Sequence, residues 1–295
     1  MRRVLVYFLV VLSLIAFAYP ISVVDDLGRV VTIDRAPQRV VSVSPAATRY
    51  LVYLGLQDRV VGVTDWDMLA GKVEKIGNMV PLNVEKILSL KPDLVLAFGG
   101  FQAPEIPKLE KVGLKVVAIN PNSLDDILKS LVMVGYIFNV EDEAKKKAEY
   151  LRNKMLSIAK EAYKIPFDKR PKVLYLSSVP QAGSKEIWTA CSGSYMNDLI
   201  TLAGGRNIAA SIAGPNGWVP LSIEYIYKED PDAIIVAKYF GSDEDAKKAV
   251  ENFKAFKPLK AVRNGKILVI DGNIASQPSP QIFDLLEVIY KFIKE

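Results

Sequence analysis

The chain has 295 residues, half of them apolar and 24% charged, a globular composition that excludes a disordered or fibrous protein. Its formal charge of +5 comes from 38 basic and 33 acidic residues mixed along the sequence, so the clustered basic surface of a nucleic-acid binder is not expected. Histidine is absent and cysteine occurs once, at Cys191. That excludes an intramolecular disulfide, a zinc site of His and Cys and a Ser-His-Asp triad, and it removes the usual general base.

Residues 1–18 read as a secretory signal peptide. Arg2 and Arg3 form a basic start, residues 4–18 are apolar apart from Ser13, and Ala16-Phe17-Ala18 fits an A-x-A cleavage site. The apolar run is shorter than the roughly 20 residues of a spanning helix. Cleavage near Ala18 is therefore expected, with an uncleaved anchor as the alternative. Loss of Arg2 and Arg3 takes the formal charge from +5 to +3 (5 − 2). No cysteine follows the leader, so N-terminal acylation is not expected, and Cys191 reads as a small buried residue.

Residues 23–33 predict two short strands about a turn at 26–29, and 40–43 a further strand. Ser44-Pro45 opens a helix that ends at Gly55. A strand over 60–63, a helix and strand over 83–98, a helix over 105–111, a strand over 115–119 and a helix over 124–138 complete the first half. The stretch 141–164 lacks Gly and Pro and is rich in Ala, Glu, Lys and Leu. It predicts one long helix, on the order of 35 Å at ~1.5 Å per residue. Pro166 ends it. Strands over 172–177, 233–237 and 266–270 then alternate with helices over 194–203, 243–253 and 280–293, and 188–193 is a loop or strand edge. This alternation predicts an α/β fold: two lobes with mostly parallel sheets covered by helices and right-handed crossovers. The expected divisions are a leader (1–18), an N-terminal lobe (19–138), a stiff linking helix (139–168) and a C-terminal lobe (169–295). Neither nucleotide-binding glycine fingerprint is present.

One unit occurs twice. Residues 80–98 read VPLNVEKILSLKPDLVLAF and residues 219–237 read VPLSIEYIYKEDPDAIIVA, aligned without a gap at an offset of 139 (219 − 80). Asn83 and Ser222 are expected N-caps. Glu85 and Glu224 fall in the first helical turn, Pro92 and Pro231 end each helix, and an apolar strand follows. A carboxylate in the first turn suits the helix dipole by ~0.3–1 kcal/mol, and that accounts for either glutamate alone. Recurrence of the whole unit once per lobe also suits docking of two matched carboxylates onto a two-fold partner that offers arginines.

Ligands of open α/β sheets bind at the carboxyl ends of the strands, and aromatics are expected in loops there. Trp66 lies in TDWD, Phe98 and Phe101 in AFGGF, Trp188 in EIWT and Trp218 in NGWVP, while Tyr239 and Phe240 follow the strand at 233–237. Their faces suit stacking on a flat or catecholate-like ligand; the other reading is that some of them plug the lobe cores. Arg49, Lys185 and Lys238 are candidate partners of an anion, or solvated surface. Asn273 and Gln277, in DGNIASQPSP, are candidate polar contacts.

The order DDLGRVVTI, RVVSVSP, LVYLGLQDRVVGVT, NVEKILSLKPDLVLA, a long linking helix, LAGGRNIA and GWVPLSIEYIYKEDPDAIIV resembles the periplasmic binding proteins of ABC importers for iron-siderophore, haem and cobalamin. The resemblance spans the whole chain after the leader. It implies two lobes bridged by one helix, a ligand held between them, no enzymatic activity, no resident cofactor and a periplasmic location. It further implies that Glu85 and Glu224 meet arginines of a permease dimer in the inner membrane, and that Trp66, Phe98, Trp188 and Trp218 stand at ligand-contacting loops. Related receptors for bare zinc or manganese depend on histidines, so the absence of histidine here favours a metal chelate. A ferric siderophore is the first expectation, with cobalamin or haem as alternatives, delivered by a monomer. An exported enzyme on a doubly wound fold is the alternative from another class.

Overall fold

The computed structural model describes residues 19–295; the expected signal peptide at 1–18 lies outside the described residues. The N-terminal lobe opens with the antiparallel hairpin β1 (Ile21–Val24) and β2 (Val30–Ile33). It continues through β3 (Val40–Ser42), α1 (Pro45–Tyr53), β4 (Val60–Val63), β5 (Glu74–Lys75), α2 (Val84–Ser89), β6 (Leu94–Phe98), α3 (Ile106–Glu110), β7 (Val116–Ile119) and α4 (Leu124–Ile137). Strands β5-β4-β3-β6-β7 form one parallel sheet in that order. Helix α5 (Glu141–Ala162) leads to the C-terminal lobe, which contains β8 (Lys172–Leu176), β9 (Glu186–Ala190), α6 (Tyr195–Leu202), β10 (Arg206–Asn207), β11 (Trp218–Ser222), α7 (Ile223–Glu229), β12 (Ala233–Lys238), α8 (Asp243–Asn252), α9 (Lys260–Arg263), β13 (Ile267–Asp271), α10 (Gly272–Ala275) and α11 (Ile282–Lys294). Here β10-β8-β12-β13 form a parallel sheet, and β9 pairs with β11 as a separate antiparallel ribbon.

The expected α/β architecture is the one observed. Two departures have local causes. Short β5, β10, α9 and α10 carry too few residues to leave a periodic signal. The segment around Trp218, expected as loop, is strand, and of the two readings of the Trp188 segment the strand edge is the one observed: Trp218 pairs with Ala190 and Trp188 with Pro220. Aromatic residues fit a pleated, half-buried surface, and Pro220 is tolerated because a two-stranded ribbon has a free edge on each side.

The repeated unit is conformational as well as sequential. Asn83 accepts the Lys86 N–H at 2.9 Å and Ser222 the Tyr225 N–H at 3.2 Å, each as an N-cap. Lys91 and Asp230, both directly before the proline, adopt left-handed φ of 47° and 42°. The aspartate after each proline then fastens the unit to the first strand of its sheet. The Asp93 carboxylate accepts the backbone N–H groups of Gln38 and Arg39 at 2.9 and 3.0 Å, and Asp232 accepts that of Lys172 at 2.8 Å.

The lobes share one core. A continuous set of buried apolar side chains runs from Tyr50, Val63 and Leu96 through Leu131 and Leu151 to Leu199, Tyr175, Ile235 and Phe283. The outer face of each sheet has its own smaller cluster. Helix α5 has 22 residues, about 33 Å at ~1.5 Å each. Lys147 on it donates to the Tyr53 carbonyl at 2.8 Å, Arg152 pairs with Asp125, and Lys154 pairs with Asp284 and Glu287 of α11.

Candidate functional site

The carboxyl ends of β6 and β7 in one sheet and of β8 and β12 in the other open onto one crevice. Strand β6 delivers Phe98 and the loop to Phe101, β7 delivers Asn120, Pro121 and Asn122, β8 delivers Ser177 and β12 delivers Tyr239. The other wall carries Tyr195, Asn216 and Trp218, and the floor carries Ser276 and Pro278. This hollow measures about 360 Å³. A second, of about 260 Å³, continues it past Met79 and Gln277 to Ser44, Pro45 and Ala46 at the start of α1, sharing Phe98, Phe101, Ser276 and Pro278. A larger hollow of about 660 Å³ lies between β1, α4 and α5. It draws no residue from the C-terminal lobe, so the crevice fits the ligand geometry of open α/β sheets better.

Local chemistry sets the aromatic positions. Gln102 is fully buried; its amide donates to the carbonyls of Val43 and Met79 at 2.6 and 2.9 Å and its oxygen accepts the Phe98 N–H at 3.1 Å. That fixes the AFGGF loop to the ends of two strands. A Cβ on Gly99 would lie 2.7 Å from the Asn120 Cβ, so only glycine lets the loop run this close to β7. The Phe98 and Phe101 centroids are 6.2 Å apart. Across the crevice the Trp218 ring lies 6.0 Å from Tyr175 and 6.1 Å from Tyr195, in the tilted and edge-on arrangements that aromatic quadrupoles favour. The Tyr195 hydroxyl donates to the Ala275 carbonyl at 3.0 Å. Burial pushes the phenols of Tyr175 and Tyr195 well up, so both stay protonated at neutral pH.

Of the sequence-expected contacts, Phe98, Phe101, Trp218 and Tyr239 converge here, as does Gln277. Trp66, Trp188, Lys238 and Asn273 do not line the crevice. Trp66 is 71% and Trp188 56% exposed. Lys238 turns to Asp243 at 3.1 Å and to the Gly241 carbonyl at 3.1 Å. Asn273 belongs to α10, where its N–H donates to Asp271. Tyr195, Asn120, Asn216, Ser177 and Ser276 join the site without having been singled out. They come from segments far apart in sequence, and only Asn120 and Ser177 carry a local signal, each directly following a strand of a parallel sheet.

Arg49 is half-buried and its Nε donates to the Gln277 oxygen at 2.5 Å, a bond from one lobe to the other. Burial draws its pKa down, while the carboxylates of Asp271 and Asp67 act the other way. Tyr50 donates to the Pro278 carbonyl at 3.1 Å and the Leu124 N–H to Asp198 at 3.2 Å, further links between the lobes. Among the described residues no group of three or more carboxylates or thiols is placed to hold a metal ion. No helix among them is long and apolar enough to cross a membrane.

Both repeat glutamates, Glu85 and Glu224, are exposed in the first turns of α2 and α7. Neither forms an ion pair among the described residues. The Glu224 carboxyl is held below its ordinary range by its own backbone N–H and then by the Ser222 hydroxyl.

Residues 40–274 match the family described as periplasmic binding protein. The chain belongs to that family. An ABC transporter substrate-binding lipoprotein of Bacillus subtilis (strain 168), YvrC, described as uncharacterized, is 30% identical over 282 residues, covering 93% of this chain and 86% of that protein. The vitamin B12-binding protein of Vibrio parahaemolyticus is 25% identical over 260 residues, covering 86% and 89%. The crystal structure of the periplasmic vitamin B12-binding protein BtuF of Vibrio cholerae superposes with a TM-score of 0.71 at 25% identity, covering 88% of this chain and 97% of that one.

Proposed function

We propose that this periplasmic binding protein is an extracytoplasmic receptor that holds one metal chelate in the crevice and delivers it to an ABC importer. The carrying observation is the crevice itself: an aromatic-lined hollow drawing residues from both lobes at the strand ends, with no ligand set for a bare ion among the described residues. The relatives named above, a substrate-binding lipoprotein and vitamin B12-binding proteins, support the same reading. The vitamin B12-binding relatives favour keeping a corrinoid as the alternative cargo to a ferric siderophore.

Delivery needs a foothold on the membrane partner. Glu85 and Glu224 supply one exposed carboxylate per lobe, set by the same capped helix in each. A two-fold permease dimer with an arginine pocket on each subunit is the partner this arrangement suits. Export with loss of residues 1–18 places the receptor on the required side of the membrane. Divisions near 139 and 168 give a stiff connector, so delivery proceeds with little lobe motion.

Two measurements test the reading. The purified, processed chain is titrated with ferric siderophores, haemin and corrinoids by tryptophan fluorescence; binding of one equivalent is expected, and no binding to any of them overturns the receptor role. The double variant Glu85→Lys, Glu224→Lys is then assayed for uptake in cells. Uptake is expected to fall by about 100-fold or more, as for a charge reversed in a buried ion pair, with ligand affinity unchanged. Loss of affinity instead would contradict a docking role.

A further inference from the structure

Among the described residues the crevice is lined by no carboxylate, lysine or arginine. The cations that come nearest are engaged elsewhere. Lys238, next to Tyr239, is held by Asp243 and the Gly241 carbonyl. Arg49 stands behind Gln277 with its Nε bonded to that residue's oxygen, half-buried and within the field of the Asp271 and Asp67 carboxylates. What does lie close behind the wall is acidic: Asp26 accepts the Asn120 N–H at 2.6 Å. Burying an anion without a counter-charge costs several kcal/mol or more, and a carboxylate behind the wall adds to that cost.

The polar groups that remain are neutral and two-sided. The amides of Asn120 and Asn216 and the hydroxyls of Ser177 and Ser276 make no side-chain hydrogen bond among the described residues, and each can donate and accept. Gln277 has its oxygen occupied by Arg49, which leaves its NH₂ to donate. Primary amides and carbonyl oxygens are the complement of this set, and the Phe98 and Trp218 rings supply flat apolar faces beside it.

Resting on the receptor reading, we infer that the cargo is a metal chelate without net negative charge, with amide or carbonyl groups around its periphery, and that the crevice rejects polyanionic chelates. Corrinoids and uncharged ferric trihydroxamates have this chemistry. Haemin, with its two propionates, and ferric tris-catecholates, which are trianions, do not.

Isothermal titration calorimetry on the processed chain tests this with four probes: cyanocobalamin, an uncharged ferric trihydroxamate, haemin and a ferric tris-catecholate. One of the uncharged chelates is expected to bind about 100-fold more tightly than either anion, the scale on which unpaired buried charge discriminates. Tightest binding of cyanocobalamin identifies the corrinoid source, and tightest binding of the trihydroxamate the hydroxamate source; either supports the inference. Equal or tighter binding of haemin or the tris-catecholate overturns it and leaves the receptor reading standing. Failure of all four overturns both. A second arm uses Ser276→Lys, which adds an ammonium at the floor shared by the two hollows. Haemin affinity is expected to rise about tenfold; an unchanged value would mean that charge is not what excludes it.

Discussion

Asp67 is nearly buried behind the start of α1. It accepts the Thr48 hydroxyl at 2.5 Å and the Leu69 N–H at 2.9 Å. Burial outweighs these bonds and pushes its carboxyl above the ordinary range. Asp26 behaves alike for the same first cause, against the Asn120 N–H and the Ser130 hydroxyl. A carboxyl that holds its proton more tightly folded than unfolded binds more protons in the native state between the two pKa values. Stability therefore falls as pH rises through that window, which opens near the ordinary aspartate value of about 3.9. Asp67→Asn removes the titration. The stability of this variant relative to the parent is expected to improve as pH rises from about 4 through the folded-state pKa of Asp67 and to level off above it. Urea unfolding midpoints across a pH series read this difference; a difference flat in pH, or moving the other way, contradicts the assignment.

Among the elements, the helical hairpin of α4 and α5 depends on a close approach at Gly135. A Cβ there would lie 2.2 Å from the Ala144 Cβ and 3.2 Å from the Val140 carbonyl. Alanine would gain roughly 1 kcal/mol of helix propensity over glycine, whereas overpacking a tight contact costs about 1–3 kcal/mol. The contact is expected to win, so Gly135→Ala lowers the unfolding free energy, and adding Ala144→Gly recovers part of the loss in a double-mutant cycle. A neutral or stabilising Gly135→Ala would mean that the helices can part. The lengths of these helices were legible in the sequence because both run for several turns, the first opened by the Ser123 cap and the second closed before Pro166. The repeated unit was legible in the same way, down to the N-caps Asn83 and Ser222. Its difference between lobes was not. The same Val-Pro-Leu is irregular at residues 80–82 and strand at 219–221, because only the second copy meets a partner, β9, some 30 residues upstream. That pairing also decides that Trp188 and Trp218 stand in strands, and it leaves no local trace. Phe98 and Tyr239 could be placed at the site because the first ends, and the second directly follows, a strand of a parallel sheet. Tyr195 and Asn216 reach it only through the packing of α6 and the ribbon onto the sheet.

At the scale of the whole molecule, the connecting helix is one of several ties between the lobes. Buried apolar side chains run without a break from β3 to β12, helix α5 is fastened to α1, α4 and α11, and Arg49, Tyr50 and Leu124 each bond across to Gln277, Pro278 and Asp198. A hinge motion would have to open that shared core, and packed cores do not deform continuously. Ligand capture is therefore expected to shift the lobes by less than about 2 Å, the range of pre-organised complexes. Spin labels on cysteines introduced at Lys86 and Lys228, with buried Cys191 left in place, report the inter-lobe distance by electron–electron resonance. A single narrow distribution that moves little on saturation is the expected result. A second population, or a shift of several ångströms, would mean that the core parts during binding. Replacing the two crevice-side bonds with Arg49→Met and Tyr50→Phe separates the contributions. If they hold the floor, the distribution broadens while the fold stays intact by circular dichroism. If the apolar core alone fixes the lobes, the width does not change.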